Sequence, residues 1–229
     1  MLYMYREALI LYKFLLKYRE ISLKELFGFT RIPIDKIVSY LNELGNIIVI
    51  ENDIVKLRKP LELAIMALNM GCSIKEISSY LDWKDFEKIS AEILELNNYM
   101  VYLNLRVSKP VRFEIDVIGV DPVSGRGIFI DCKHWSRGGS IKNLMNVAEQ
   151  HYARVLKFSK YIQLFRNKWI YFEHLTEAIP IIVTLTTPIL RMHSNTIIVS
   201  IQELNNFLLD LPLVLETFSI KPLILRPSR

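Results

Sequence analysis

Cysteine is scarce. Cys72 and Cys132 are the two in 229 residues, too few and too far from a second ligand pair for a disulfide framework or a zinc site. Cys132 reads as packing within a strand. No long hydrophobic run is present: the most apolar stretch, Ile179 to Leu190, holds two prolines and is too short to cross a bilayer. Low-complexity and disordered tracts are absent as well. The apolar N-terminus is interrupted by Arg6, Glu7 and Lys13 and is followed by no small-residue cleavage site, so a soluble, cytoplasmic protein is expected. What is plentiful is apolar residues, at 51%, enough to bury the core of one large or two modest domains.

The net charge of +5 is unevenly spread. Residues 1–85 carry 12 Lys and Arg against 11 Asp and Glu, whereas between Lys133 and Lys168 eight cations face Glu149 alone. Such a basic stretch suits a polyanion, although a solvated helix face has the same composition. From Lys142 to about Lys160 the spacing predicts a helix. Leu144, Val147, Ala148, His151, Val155 and Phe158 form its apolar side, with His151 a packed core histidine, and Gln150, Arg154 and Lys157 follow at i, i+4, i+7 on the other. His134 and Arg137 lie in the preceding loop, where contact with a nucleic-acid backbone is expected together with Lys142.

The most informative stretch immediately precedes these cations. Phe113–Gly119 and Ile128–Lys133 read as two strands joined by turn chemistry at residues 121–127. Alternation places Glu114 and Asp116 on one side of the first strand, opposite Phe113, Ile115 and Val117. It likewise places Asp131 and Lys133 opposite Ile128, Ile130 and Cys132. A hairpin then gathers Asp116, Asp131 and Lys133. Carboxylates collected in a partly buried place need a cation, and a divalent metal is the natural one; a half-buried hairpin with a solvated charged face produces the same alternation.

An Asp, a turn, then Asp-x-Lys closing an apolar strand ahead of a basic helix resembles the core of the PD-(D/E)XK nuclease superfamily, which includes restriction endonucleases and archaeal Holliday-junction resolvases. Residues 86–101 are similar to the opening helix of the type IV restriction endonuclease domain, with Glu87 at the position of its acidic residue. Helical geometry independently sets Glu87 at the edge of the arc formed by Phe86, Ile89 and Ile93, whereas Lys88, Glu92 and Glu95 share another face. The resemblance spans roughly residues 84–203. It departs from the family where Glu114-Ile115 replaces Pro before Asp116, where Asp131 stands for a more usual Glu or Gln, and where Gln150 is followed by Arg154 instead of Tyr.

The resemblance implies an α/β fold, a restriction endonuclease-like mixed sheet flanked by helices, and metal-dependent hydrolysis of DNA phosphodiesters. Asp116, Asp131, the Cys132 carbonyl and Glu87 would hold Mg²⁺, with Mn²⁺ as a substitute, and Lys133 would orient the attacking water. A homodimer is implied too, because cutting both strands of a duplex calls for two sites.

The N-terminal part reads as a separate unit. Tyr5–Leu16 has an apolar helical pattern, Ser22 and Glu25 form a capping box for a second helix, and Ile34–Leu44 is a third that ends at Gly45. A hairpin of Ile47–Ile50 and Ile54–Arg58 follows. Helices followed by a two-stranded wing resemble a winged helix-turn-helix, with Asp35, Lys36, Ser39, Tyr40 and Asn42 exposed on the third helix. The expected organisation is a winged helix-like domain over 1–59, a helical linker over 60–83 and the nuclease-like domain over 84–229. A second function is consistent with these features, a non-catalytic DNA-binding regulator that uses the nuclease-like domain for dimerisation.

Overall fold

Local chemistry sets the element boundaries. Ser22 accepts a hydrogen bond from the Glu25 backbone N–H at 3.2 Å while the Glu25 carboxylate accepts from the Ser22 N–H at 2.9 Å, so a capping box begins helix α2, Leu23–Thr30. Arg31 ends that helix in the left-handed region, and Pro33 precedes helix α3, Ile34–Glu43. Asn52 and Asp53, both at positive φ, make the two-residue turn between strands β2, Ile48–Glu51, and β3, Ile54–Leu57.

The computed structural model describes residues 2–73, 76–77, 79–133 and 140–225. The chain divides into two units, Met1–Asp85 and Phe86–Arg229. In the first, helix α1 (Leu2–Tyr18) leads to strand β1 (Glu20–Ser22), and helix α4 (Pro60–Asn69) follows the hairpin. The three strands form an antiparallel sheet in the order β1-β3-β2. Leu11, Leu15, Leu26, Ile37, Val55 and Leu61 are almost fully enclosed in its core. Residues 60–83, expected as a linker, fall within this unit. Tyr40, expected at the surface of α3, is buried and its hydroxyl donates to Glu7 at 2.8 Å. An amphipathic ring with a partner for its hydroxyl gains more from burial than from water.

The second unit is mixed α/β. Helix α5 (Trp83–Leu96), most of which lies past the unit boundary at Asp85, precedes strands β4 (Met100–Val107), β5 (Phe113–Val120) and β6 (Arg126–Lys133), and helix α6 (Ile141–Lys160) follows them. A short helix α7 (Ile162–Phe165), strands β7 (Glu177–Thr184), β8 (Met192–His193) and β9 (Thr196–Ser200), helices α8 (Ile201–Leu209) and α9 (Leu211–Thr217) and strand β10 (Leu223–Ile224) complete it. The sheet runs β4-β5-β6-β7-β9-β8 with β10 beside β7; β6, β7 and β9 are parallel to one another and the other pairs antiparallel.

Helices cover both faces of this sheet. On one, Phe129 meets Phe158 of α6, while Leu144 and Ala148 of α6 pack with Ile182 and Ile198. On the other, Ser90 of α5 lies 3.6 Å from Cys132, and a Cβ on Gly119 would sit 3.0 Å from Leu94. Phe129, Phe158 and Phe172 are fully enclosed, each contributing about 1.5–3 kcal/mol by the apolar area withdrawn from water. At the turn between β5 and β6, Gly125 is in the left-handed region, and a Cβ there would meet Thr176 Oγ1 at 2.5 Å. Among the described residues, no helix is long and apolar enough to cross a membrane.

Candidate active site

The acidic groups gather where the regular ladder stops. β5 and β6 pair from Val120↔Gly127 to Val117↔Ile130 and no further, whereas β6 stays in register with β7 through Lys133. Beyond Val117 the Cys132 N–H has lost its partner carbonyl, and it donates instead to Asp116 Oδ2 at 2.8 Å. One carboxylate thus sits at the opening between two strands, tied to the backbone of the strand that carries the other.

Alternation is broken at the same place. Ile115 and Ile118 both belong to the core cluster on the α6 side, although three residues apart they would face opposite ways in a regular strand. In β4, Tyr102 and Leu105 show the same break around Asn104, which has φ 54° and lacks the ladder pairing with Asp116 that its neighbours Leu103↔Val117 and Leu105↔Ile115 imply. The strict alternation expected from the sequence therefore fails across Asp116. Asn104 donates to Glu87 Oε2 at 2.9 Å, so the acid of α5 is anchored beside the break.

Asp131 is 1% exposed, and two cations hold it. Lys133 Nζ is 2.8 Å from Oδ2, and Arg154 Nη2 on α6 is 3.0 Å from Oδ1. The lysine approaches Oδ2 outside hydrogen-bond geometry, so that oxygen is charge-paired but has no aligned donor. Burial, and after it the negative charge of Asp131, push the Asp116 carboxyl up to about 6, against the Cys132 N–H and Lys133, which favour its ionised form. Glu87 adds to the negative field. Asp116, Asp131, Lys133 and Glu87 therefore share one electrostatic environment.

The remaining expectations divide. Cys132 is enclosed and burial pushes its thiol well up, which leaves an inert packing group whose main chain lines the opening. His151 is buried, as its place on the apolar side of α6 suggests, with Nε2 2.8 Å from the Phe129 carbonyl, and burial lowers its imidazole to about 4. Lys142 and Gln150 are exposed on α6, and Lys157 is half-exposed. Arg154, expected among the outward cations, turns instead to Asp131. The spacing carries a signal for this, since Arg154 is three residues from His151 and one from Val155, at the edge of the apolar side. Glu114 forms an exposed cross-strand pair with Arg106 at 2.8 Å. His134 and Arg137 lie outside the described residues.

No family model matches this chain, and no curated protein does. Among solved structures it is similar to the crystal structure of protein VC1899 from Vibrio cholerae, at 14% identity and a TM-score of 0.32, covering 93% of this chain and 56% of that one. The chain thus spans little more than half of that protein's length, and a likeness so slight carries no argument about fold or activity.

Proposed function

We propose that the protein is a metal-dependent DNA endonuclease of the PD-(D/E)XK kind. The observation that carries the reading is the meeting of Asp116, Asp131 and Lys133 where β5 and β6 part. A hard divalent cation fits this chemistry. Two mutually repelling carboxylates and a main-chain carbonyl are oxygen donors, and Mg²⁺ commonly binds through one or two carboxylates while keeping several waters. Among the described residues no group of three or more His, Cys, Asp or Glu has a metal-holding arrangement, so such a site would rest on the two aspartates, the Cys132 carbonyl and solvent, with Glu87 close by.

A bound Mg²⁺ supplies Lewis-acid polarisation of the phosphate and an acidified water. Asp116 and Asp131 would hold that ion, and Lys133 would orient the water and offset negative charge as it develops. Water would add to phosphorus and release a proton to solvent, the bond to the 3′ oxygen would break, and that oxygen would leave as a hydroxyl after taking a proton from solvent. Lys142, Gln150 and Lys157 of α6 would meet the DNA backbone, joined by His134 and Arg137. Two copies acting together would cut both strands.

The first unit supports a winged helix-turn-helix reading through its element order α1-β1-α2-α3-β2-β3 and its β1-β3-β2 sheet. The exposed side of α3 is nearly neutral, with Lys36 paired to Glu7 at 3.5 Å, so this unit would add contacts to a substrate attracted elsewhere. One observation favours a second reading, a non-catalytic DNA-binding regulator: Asp131 is already neutralised by two cations, as a purely structural ion cluster would be.

Incubation with labelled duplex, single-stranded and four-way-junction DNA in Mg²⁺, Mn²⁺ or EDTA, beside Lys133→Ala, separates them. Metal-dependent cleavage lost in the variant is expected. Salt-sensitive binding without cleavage in any metal selects the regulator.

A further inference from the structure

Asp131, with the Asp116 carboxyl as a negative neighbour, is held by two cations. Lys133 and Arg154 approach opposite oxygens from different elements. The two cations are built differently. Lys133 ends a strand and carries a compact charge on a flexible stem, whereas Arg154 is held mid-helix by a planar guanidinium whose Nε is enclosed without a hydrogen-bond partner. An arginine so placed cannot swing out to a substrate without abandoning its helix packing, whereas the lysine carries its charge on a flexible stem.

We propose that Arg154 is a positioning residue, a permanent counter-ion that holds the Asp131 carboxylate in place while Lys133 moves from it to the scissile phosphate. Without it, Asp131 would be left an unpaired buried charge whenever Lys133 is away and no metal is bound, which is strongly unfavourable. The role of Lys133 in this exchange rests on the endonuclease reading; the pairing of Arg154 with Asp131 does not.

The test compares Arg154→Gln, Arg154→Lys, Lys133→Gln, Asp131→Asn and the double variant Arg154→Gln/Asp131→Asn in the full chain. In EDTA, Arg154→Gln is expected to lower the melting midpoint by roughly 6–12 °C and Lys133→Gln by less than half as much. Adding Asp131→Asn to Arg154→Gln should recover most of the loss, because no buried charge is then left unpaired. In Mg²⁺, Arg154→Gln should lower kcat on duplex DNA on the order of 100-fold with KM nearly unchanged. Arg154→Lys should return it to within roughly tenfold of the parent.

Equal losses of melting midpoint for the two cation variants, no recovery on adding Asp131→Asn, or parent-like cleavage by Arg154→Gln would overturn the assignment. If the parent protein does not cleave DNA at all, the endonuclease reading fails, and recovery by Asp131→Asn alone decides whether Arg154 is the counter-ion.

Discussion

At the residue scale, Asp116 and His151 act oppositely on stability. Asp116 titrates near 6 in the fold and near 3.8 as an ordinary aspartate, so between these values the folded state binds the extra proton and stability falls as pH rises. His151 titrates near 4 in the fold against an ordinary 6.5, so over the same range the unfolded state binds the proton and stability rises with pH. The two slopes largely cancel in the parent protein without metal. Asp116→Asn should therefore unmask the histidine: its stability in EDTA should drop as pH falls from 6.5 towards 4. At pH 8 the same variant should be more stable than the parent, by at most about 3 kcal/mol, while cleavage is lost. Denaturant titrations at pH 8 and pH 5 read both effects; a variant less stable than the parent at pH 8 would show that Asp116 is not an electrostatic burden. On the endonuclease reading, protons would compete with a bound metal, so cleavage should decline as pH falls below about 6.

At the element scale, the break shared by β4 and β5 decides where the acids go. Asn104 tolerates φ 54° better than a β-branched residue does, and its side chain anchors Glu87. Asn104→Val should cost about 1–2 kcal/mol from the left-handed backbone alone and reduce cleavage further by releasing Glu87. Asn104→Gly relieves the backbone but still lacks the anchor, so it should keep stability and show the loss of rate by itself. Guanidinium titration and cleavage rates on both variants test this, and equal stability of the two would place the strain elsewhere. The break was not legible in the sequence, because Phe113–Val120 has an unremarkable strand composition. Only pairing on both sides showed that the ladder skips Asn104 and Asp116.

At the scale of the whole molecule, the two units each enclose their own apolar residues, and most of the positive excess lies in the second. DNA affinity should therefore depend on α6 more than on α3. Lys142→Ala/Lys157→Ala should reduce the slope of log Kd against log salt by about 2 if each lysine neutralises one phosphate, whereas Lys36→Ala should leave it nearly unchanged. Fluorescence anisotropy with labelled duplex across a salt series measures both, and an unchanged slope for the double variant would move the DNA surface away from α6.

The sequence by itself determined what depends on neighbours along the chain. Ser22 and Glu25 announce their cap, Asn52-Asp53 its turn, and the spacing of Leu144, Ala148, His151, Val155 and Phe158 the buried side of α6, because these signals act within about four residues. The hairpin that joins Asp116 to Asp131 was legible for the same reason. Tertiary structure alone decided the partners: Tyr40 turned inward to Glu7, the Cys132 N–H turned to Asp116, and Arg154 left the set of outward cations for Asp131. The physical cause is common to all three. A buried hydroxyl, a backbone donor outside its ladder and a buried carboxylate each carry a desolvation cost that a specific partner must offset, and that partner is set by which elements pack together.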